Sequence, residues 1–292
     1  MMMPLNALKL ACRTVAFKLQ RKNSDPTSDY DKAAATYDEY YSKYLGPSAQ
    51  VLLDKLPVRQ GDKILDLACG TGFFSHRLAA AIGPHGRLTA VDISGGMLER
   101  NRRGAQARAL ENIRFVQSDA MGVLRVTRAE SLNGIVCGWG ICYLDHAEFC
   151  IEVQRILRPN GFLGIIENKS TSLKKVSDLF RRVLVRNPDA IVKNIAIDLP
   201  KDASHLVRTL CKRGLVAIDS WDGAVSVPCM RGVDVAEYVV KSGAAAGFID
   251  ALDPAMADRI IRELAIAVDD ERRRGGEVPV THEYCALVAK RA

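Results

Sequence analysis

The chain has 292 residues and a formal net charge of +7, with 48% apolar and 26% charged residues. That length allows one or two domains, and the composition excludes disordered, collagen-like and low-complexity classes. No apolar stretch reaches the roughly 18 residues that a membrane-spanning helix needs.

The charge is unevenly placed. Lys9, Arg13, Lys18, Arg21 and Lys22 lie in the first 24 residues, where there is no Asp or Glu, so the rest of the chain carries only +2. The eight cysteines form no C-x-x-C pair and show no repeated spacing. They sit mostly in apolar runs, where a free Cys behaves as a small hydrophobe. A reducing, cytoplasmic compartment is therefore expected, and neither a disulfide framework nor a metal site is. No secretory leader is expected, because no clean apolar core precedes a small-residue cleavage site.

Leu5, Leu8, Cys12, Val15 and Leu19 recur at three- and four-residue spacing and predict an amphipathic basic helix within residues 1–24. Leu10 and Phe17 interrupt its polar face. The polar run from Asn23 to Asp29 breaks the helix and reads as a hinge, so residues 1–29 form an appendage to a domain spanning 30–292. The basic helix suits peripheral contact with an anionic membrane; docking on the rest of the chain or a flexible extension fits the same residues. Tyr30, Tyr37, Tyr40, Tyr41 and Tyr44 then fill one or two helices ending before Pro57.

From residue 63 the pattern alternates. Strands are predicted at 63–69, 87–92, 113–117, 134–138 and 162–167, and helices at 73–82, 96–110, 121–125 and 146–157. This rhythm predicts an α/β fold with a doubly wound, mostly parallel sheet. Beyond Glu167 the helices are expected at 172–198 (broken at Asn187-Pro188), 204–213, 233–246 and 254–274. Strands at 215–221 and 280–290 bring the sheet to seven. Segments of about 168–202 and 228–276 read as helical cap insertions that bind an acceptor.

The chemistry begins at Asp66-Leu67-Ala68-Cys69-Gly70-Thr71-Gly72, a strand, a Gly-x-Gly turn and a helix start. Glycine is needed where backbone takes unusual dihedrals or approaches a ligand closely. Asp92 follows Gly72 by twenty residues and ends the next strand, where an acid can take both hydroxyls of a ribose. An adenosine-containing ligand is expected at the sheet's carboxyl edge. The third glycine of a dinucleotide fingerprint is replaced by Ser75, and Asp66 would repel a pyrophosphate. S-adenosylmethionine, with its ammonium and sulfonium, suits these residues better than a nicotinamide dinucleotide.

These motifs resemble the class I S-adenosylmethionine-dependent methyltransferases, in the small-molecule branch that includes the ubiquinone/menaquinone C-methyltransferases. The resemblance runs from about Tyr30 to the C-terminus. It is carried in order by DLACGTG (66–72), VDIS (91–94), VQSDAM (116–121), GIVCGWGICYLDH (134–146) and ILRPNGFLGIIE (156–167). It implies a seven-stranded Rossmann-like sheet. It also implies donor contacts from Asp66, Ala68, Gly70, Gly72, Asp92, Ile93, Met97, Asp119, Ala120, Gly138 and Trp139, with Tyr30 and Tyr37 closing over the donor. The role implied for Asp119 is a hydrogen bond to the adenine amino group.

Methyl transfer is an in-line displacement at a carbon already activated by a sulfonium, so positioning and desolvation can carry it. A base is needed only for a protonated acceptor. His146 and Tyr143 are the candidate catalytic residues, with Glu167 also near the carboxyl edge. The expected acceptor is small and hydrophobic or aromatic, its pocket capped by Leu179, Phe180, Val183 and Leu184. RNA or protein is the alternative acceptor. The near-neutral remainder of the chain, the lack of an RNA-binding module and the absence of an Asn/Asp-Pro-Pro-Tyr box speak against nucleic acid. Nothing in the sequence indicates an oligomeric state.

Overall fold

The computed structural model describes residues 2–211 and 214–292. Seven strands form one sheet: β1 (Lys63–Leu67), β2 (Arg87–Asp92), β3 (Ile113–Gln117), β4 (Leu132–Gly138), β5 (Leu157–Asn168), β6 (Leu215–Val227) and β7 (Val280–Arg291). Their order is β3-β2-β1-β4-β5-β7-β6. Neighbours from β3 to β5 pair in parallel, and β7 runs antiparallel to β5. The doubly wound sheet is as expected. Its order reverses between β1 and β4, and open α/β sheets bind ligands beyond the carboxyl ends of their strands at such a point.

The central strands are apolar on both faces because helices cover both faces. In β1 only Lys63 is exposed, and Asp66 is buried among Ile64, Leu65 and Leu67. The covering helices include α4 (Phe73–Ile82), α5 (Gly95–Gln106), α6 (Ala120–Val126) and α7 (His146–Ile156). Three of them start on side-chain caps. Ser94 accepts from Met97 N, Asp119 from Gly122 N and Asp145 from Glu148 N. Each such cap is worth about 1 kcal/mol. Helix α4 starts instead on Gly72, in the left-handed region at φ 100°.

The chain divides into two compact units. One comprises Ser42–Ser172, Ile197–Ala224 and Glu283–Ala292. It holds β1 to β5, the helices just named, α3 (Lys43–Lys55) and α9 (Ala203–Leu210). Its core includes Leu65, Leu67, Ile135, Phe149, Val153, Ile165 and Leu287, none more than 2% exposed. The helix expected at 204–213 is α9; Lys212 and Arg213 lie outside the described residues.

The other unit comprises the chain up to Tyr41, Leu173–Ala196 and Val225–His282. Its helices are α1 (Met2–Leu19), α2 (Thr27–Ala33), α8 (Lys174–Arg186), α10 (Gly232–Lys241) and α11 (Pro254–Arg273). Val183, Leu184, Ala190, Ile191, Ala251, Leu252 and Ile260 form its core. Leu179 is 4% exposed, and Phe180 meets Phe248 edge-on at 6.3 Å. Val183 and Leu184 of α8 belong to this core, and Leu179 and Phe180 are the other two side chains expected at an acceptor pocket.

Helix α1 packs on this core. Leu10 and Phe17, which interrupt the polar face, are the residues that pack against this core. Arg13 donates to Ile191 O at 2.9 Å, and Lys9 and Arg13 pair with Asp189 at 2.6 and 3.2 Å. The predicted apolar stripe faces outward, with Leu5, Leu8, Val15 and Leu19 between 57% and 79% exposed. The helix has two apolar sides, and the side whose cations reach Asp189 is the one that docks. The following polar run is also tied down, through Ser24 N to Asn194 O at 2.8 Å and Asp25 N to Asp250 Oδ2 at 2.7 Å.

Packing is tight where β4 meets β5. Gly134 pairs with Phe162, and a Cβ at 134 would lie 2.2 Å from the Phe162 ring. Gly134→Ala is expected to lower stability by about 1–3 kcal/mol, read by denaturant titration, and Phe162→Leu should recover part of that loss in the double variant.

Candidate active site

The carboxyl edge of the sheet gathers the groups singled out in the sequence. The chain leaves β1 through Ala68, Gly70 and Gly72, at φ 52°, 52° and 100°. Trp139, just after β4, is also left-handed at φ 61°. Left-handed backbone at a non-glycine residue costs about 1–3 kcal/mol and persists where its surroundings impose it. Here the two loops touch: a Cβ on Gly140 would lie 2.4 Å from the Ala68 Cβ. A Cβ on Gly72 would meet Asn101 Oδ1 at 2.4 Å. Gly72 is thus required by its dihedral and by its neighbour.

Asp66 is fully buried. Its Oδ2 accepts from Ser75 Oγ at 2.5 Å, while Oδ1 has no hydrogen-bond partner. Ser75 is held in turn by Asn101, whose Nδ2 donates to Ser75 Oγ at 3.0 Å and to Cys69 Sγ at 3.3 Å. Burial pushes the Asp66 carboxyl up to about 7, reinforced by the nearby Asp92 charge and opposed by the Ser75 bond. Ser75 and Asn101 were not predicted. Ser75 was visible as the departure from a third glycine. Asn101 lies one helical turn from Met97 and Ala105, on the buried face of α5, where an amide is out of place.

Asp92 ends β2. Its Oδ2 accepts from Gly70 N at 2.8 Å and its Oδ1 from Ser94 N at 2.9 Å. One carboxylate therefore ties the glycine turn to the start of α5. Ile93 beside it is 46% exposed, an apolar surface at the carboxyl edge, whereas Met97 is buried at 2%. Asp119 caps α6 through Gly122 N at 2.7 Å, with Ala120 as the first helical residue. Gly138 ends β4 against the Phe74 ring, and Trp139 meets Tyr284 edge-on at 6.0 Å. Tyr37 belongs to the other compact unit, where its ring lies 5.0 Å from Tyr41.

Both ring nitrogens of His146 face protein acceptors. Nε2 lies 3.0 Å from Ile141 O, and Nδ1 lies 3.6 Å from Asp198 Oδ2. The Nε2 contact ties the start of α7 to the 3-10 turn Ile141–Tyr143. Glu167, at the end of β5, is 1% exposed and accepts from Asn168 N at 2.7 Å and Cys142 N at 3.2 Å. Burial pushes it up to about 7 as well. It pins the turn that carries Tyr143 to the sheet. No cluster of metal-ligating side chains occurs among the described residues.

The sheet reverses at β1 and β4, where a glycine turn lies over a buried carboxyl and an acid ends β2, in a Rossmann-like α/β arrangement. Residues 64–161, which contain every strand-end group described here except Glu167, match the family described as Methyltransferase domain. Demethylmenaquinone methyltransferase of Staphylococcus aureus is 29% identical over 130 residues, 44% of this chain and 52% of that protein. The chain thus spans about half the length of the curated relatives it matches.

Solved structures extend the likeness to most of the chain. The YcgJ protein from Bacillus subtilis aligns with TM-score 0.54 and 18% identity, over 84% of this chain and 98% of that one. Geranyl diphosphate C-methyltransferase from Streptomyces coelicolor aligns with TM-score 0.52 and 15% identity, over 85% and 76%. The [4+2]-cyclase SpnF aligns with TM-score 0.51 and 18% identity, over 84% and 80%. At such identities the likeness is one of fold.

The raised carboxyl of Asp66 has a thermodynamic consequence. Its folded value lies above the unfolded one, so its favourable contribution is complete below about 4 and is lost as pH rises towards 7. Asp66→Asn keeps an acceptor for Ser75 and removes this loss. Relative to wild type, the variant should gain stability between pH 4 and pH 8, by about 4 kcal/mol at most. Urea titrations across that range test it; parallel pH profiles would contradict it.

Proposed function

We propose that this chain transfers the methyl group of S-adenosylmethionine to a small, hydrophobic or aromatic acceptor. The observation that carries the reading is Asp66 Oδ1, a fully buried carboxylate oxygen without a partner under the glycine turn. A buried acceptor of this kind calls for a donor, and a cationic one also satisfies the charge. The ammonium of S-adenosylmethionine is such a donor, whereas a pyrophosphate would face Asp66 as a like charge. The residues present therefore fit this group.

In this reading Asp66 and the glycine turn hold the methionine part, beside Gly138 and Trp139. Asp92 takes the ribose, and Ile93, Met97, Asp119 and Ala120 surround the adenine. S-adenosylmethionine, when bound, supplies a methyl carbon activated by its sulfonium. The chain's own work is then to position the acceptor and exclude water. His146 and Tyr143 are the candidates to hold or move an acceptor proton.

The small-molecule acceptor is supported by the relatives' names, which specify demethylmenaquinone and geranyl diphosphate as the methylated compounds. It is also supported by a charge of only +2 outside the first 24 residues, too little for an RNA groove. A hydrophobic acceptor would be met at a lipid surface, and the basic segment 1–24 is the part of the chain suited to one.

Calorimetric titration of dialysed protein with S-adenosylmethionine is expected to show binding. Asp92→Ala should weaken it about 10- to 100-fold, the loss of charge-assisted hydrogen bonds. No binding by the wild type, or no effect of the substitution, would remove the donor assignment. Labelled donor added to a host extract should mark an organic-soluble product; label found only in RNA or protein would overturn the acceptor class.

A further inference from the structure

The outward side of α1 has no role in the proposed chemistry or in its own unit's core. Leu5, Leu8, Val15 and Leu19 are 69%, 62%, 57% and 79% exposed, and Cys12 between them is also exposed. They form one stripe along the helix, opposite the side on which Leu10 and Phe17 pack. Docking has already satisfied the inner side. Arg13 and Lys22 lie over the Phe17 ring at 5.5 and 5.3 Å, and Asp189 takes Lys9 and Arg13.

Charge flanks the stripe. Lys18 lies roughly a quarter turn to one side of it and Arg21 follows the helix end, while Lys9 on the other side is paired with Asp189. No Asp or Glu occurs in the first 24 residues. An apolar stripe beside Lys18 and Arg21, on a helix too weakly apolar to span a bilayer, is what an interfacial helix presents to lipid. A second copy of this chain fits less well, since pairing two such stripes would bring their cationic flanks together with no carboxylate on either helix to face them.

We propose that α1, already docked through Leu10 and Phe17, is a membrane-surface anchor that inserts Leu5, Leu8, Val15 and Leu19 into an anionic lipid interface. The lipid-facing side is thus defined by what the docked side leaves uncovered. The proposal stands independently of the donor and acceptor assignments, because it concerns binding to vesicles alone.

The test uses the full chain with phosphatidylcholine vesicles, with and without phosphatidylglycerol. Co-sedimentation is expected with the anionic vesicles and should fall with added salt. Leu8→Ser with Leu19→Ser should reduce it about tenfold or more, with the thermal unfolding midpoint unchanged. Anionic vesicles should also slow the reaction of Cys12 with a water-soluble maleimide, followed by mass spectrometry of its peptide. Absence of vesicle binding, or equal binding by wild type and variant, would overturn the proposal. So would a lipid-free dimer in the ultracentrifuge that the same substitutions dissociate, which would assign the stripe to a second copy.

Discussion

A carboxyl group with no exposed surface, at the end of the first strand, constrains everything around the switch point. Asp66 lies between Leu65 and Leu67 in a strand covered on both faces, and an unrelieved charge there would cost several kcal/mol. Two kinds of relief are present. The Ser75 hydroxyl donates to one oxygen, and the carboxyl titrates near neutrality. The first relief has structural consequences. Ser75 must be held by Asn101, Asn101 must be buried in α5, and Gly72 must lack a side chain because Asn101 occupies that space. His76 Nε2 then meets Asn101 O at 2.9 Å, and Gly104 must be bare to admit the His76 ring. One buried acid thereby fixes the turn, the start of α4 and its registry with α5.

The neighbouring loop is held from the other side. Trp139 N donates to Ile166 O at 2.7 Å while its own backbone is left-handed. Three residues after Trp139, Cys142 donates its N–H to Glu167. The chain leaving β4 is thus bent over the end of β5, and the chain leaving β1 is bent over α5. Each bend includes a non-glycine residue, Ala68 or Trp139, kept in a left-handed conformation it would not choose alone.

What could be read in the sequence follows from how local each signal is. The strands of the sheet, the glycine turn and Asp92 are encoded in runs of a few residues with little tolerance for alternatives. Asp119 and Asp145 combine a strand-to-helix junction with a capping residue and are equally local. The inner side of α1 was not legible, because periodicity finds an apolar stripe without revealing which side a neighbour will cover. Leu5, Leu8, Val15 and Leu19 make the more regular pattern, yet Asp189 and the core around Ile191 select Leu10 and Phe17. The same limit applies to Leu179, Val183 and Leu184, whose apolar character is identical whether they line a pocket or fill a core. The Asp66–Ser75–Asn101 chain joins three separate elements, and only an amide on the buried face of a predicted helix hinted at it.

Fold likeness leaves the reaction open, since a named cyclase and a named methyltransferase align with this chain about equally well. The discrimination has to come from the polar groups. Two buried carboxyls near the carboxyl edge, Asp66 and Glu167, have both been raised to about 7 by burial. They differ in what surrounds them. Each oxygen of Glu167 accepts a backbone N–H, so its surroundings account for it as a clamp on the 3-10 turn. Asp66 has one oxygen engaged and one without a partner. Of the two, only Asp66 has an electrostatic need that the protein does not meet itself, and a cation at the glycine turn would both supply the missing donor and favour the ionised form. The cationic character of the ligand is thus argued from one unpartnered oxygen, independently of what the fold resembles.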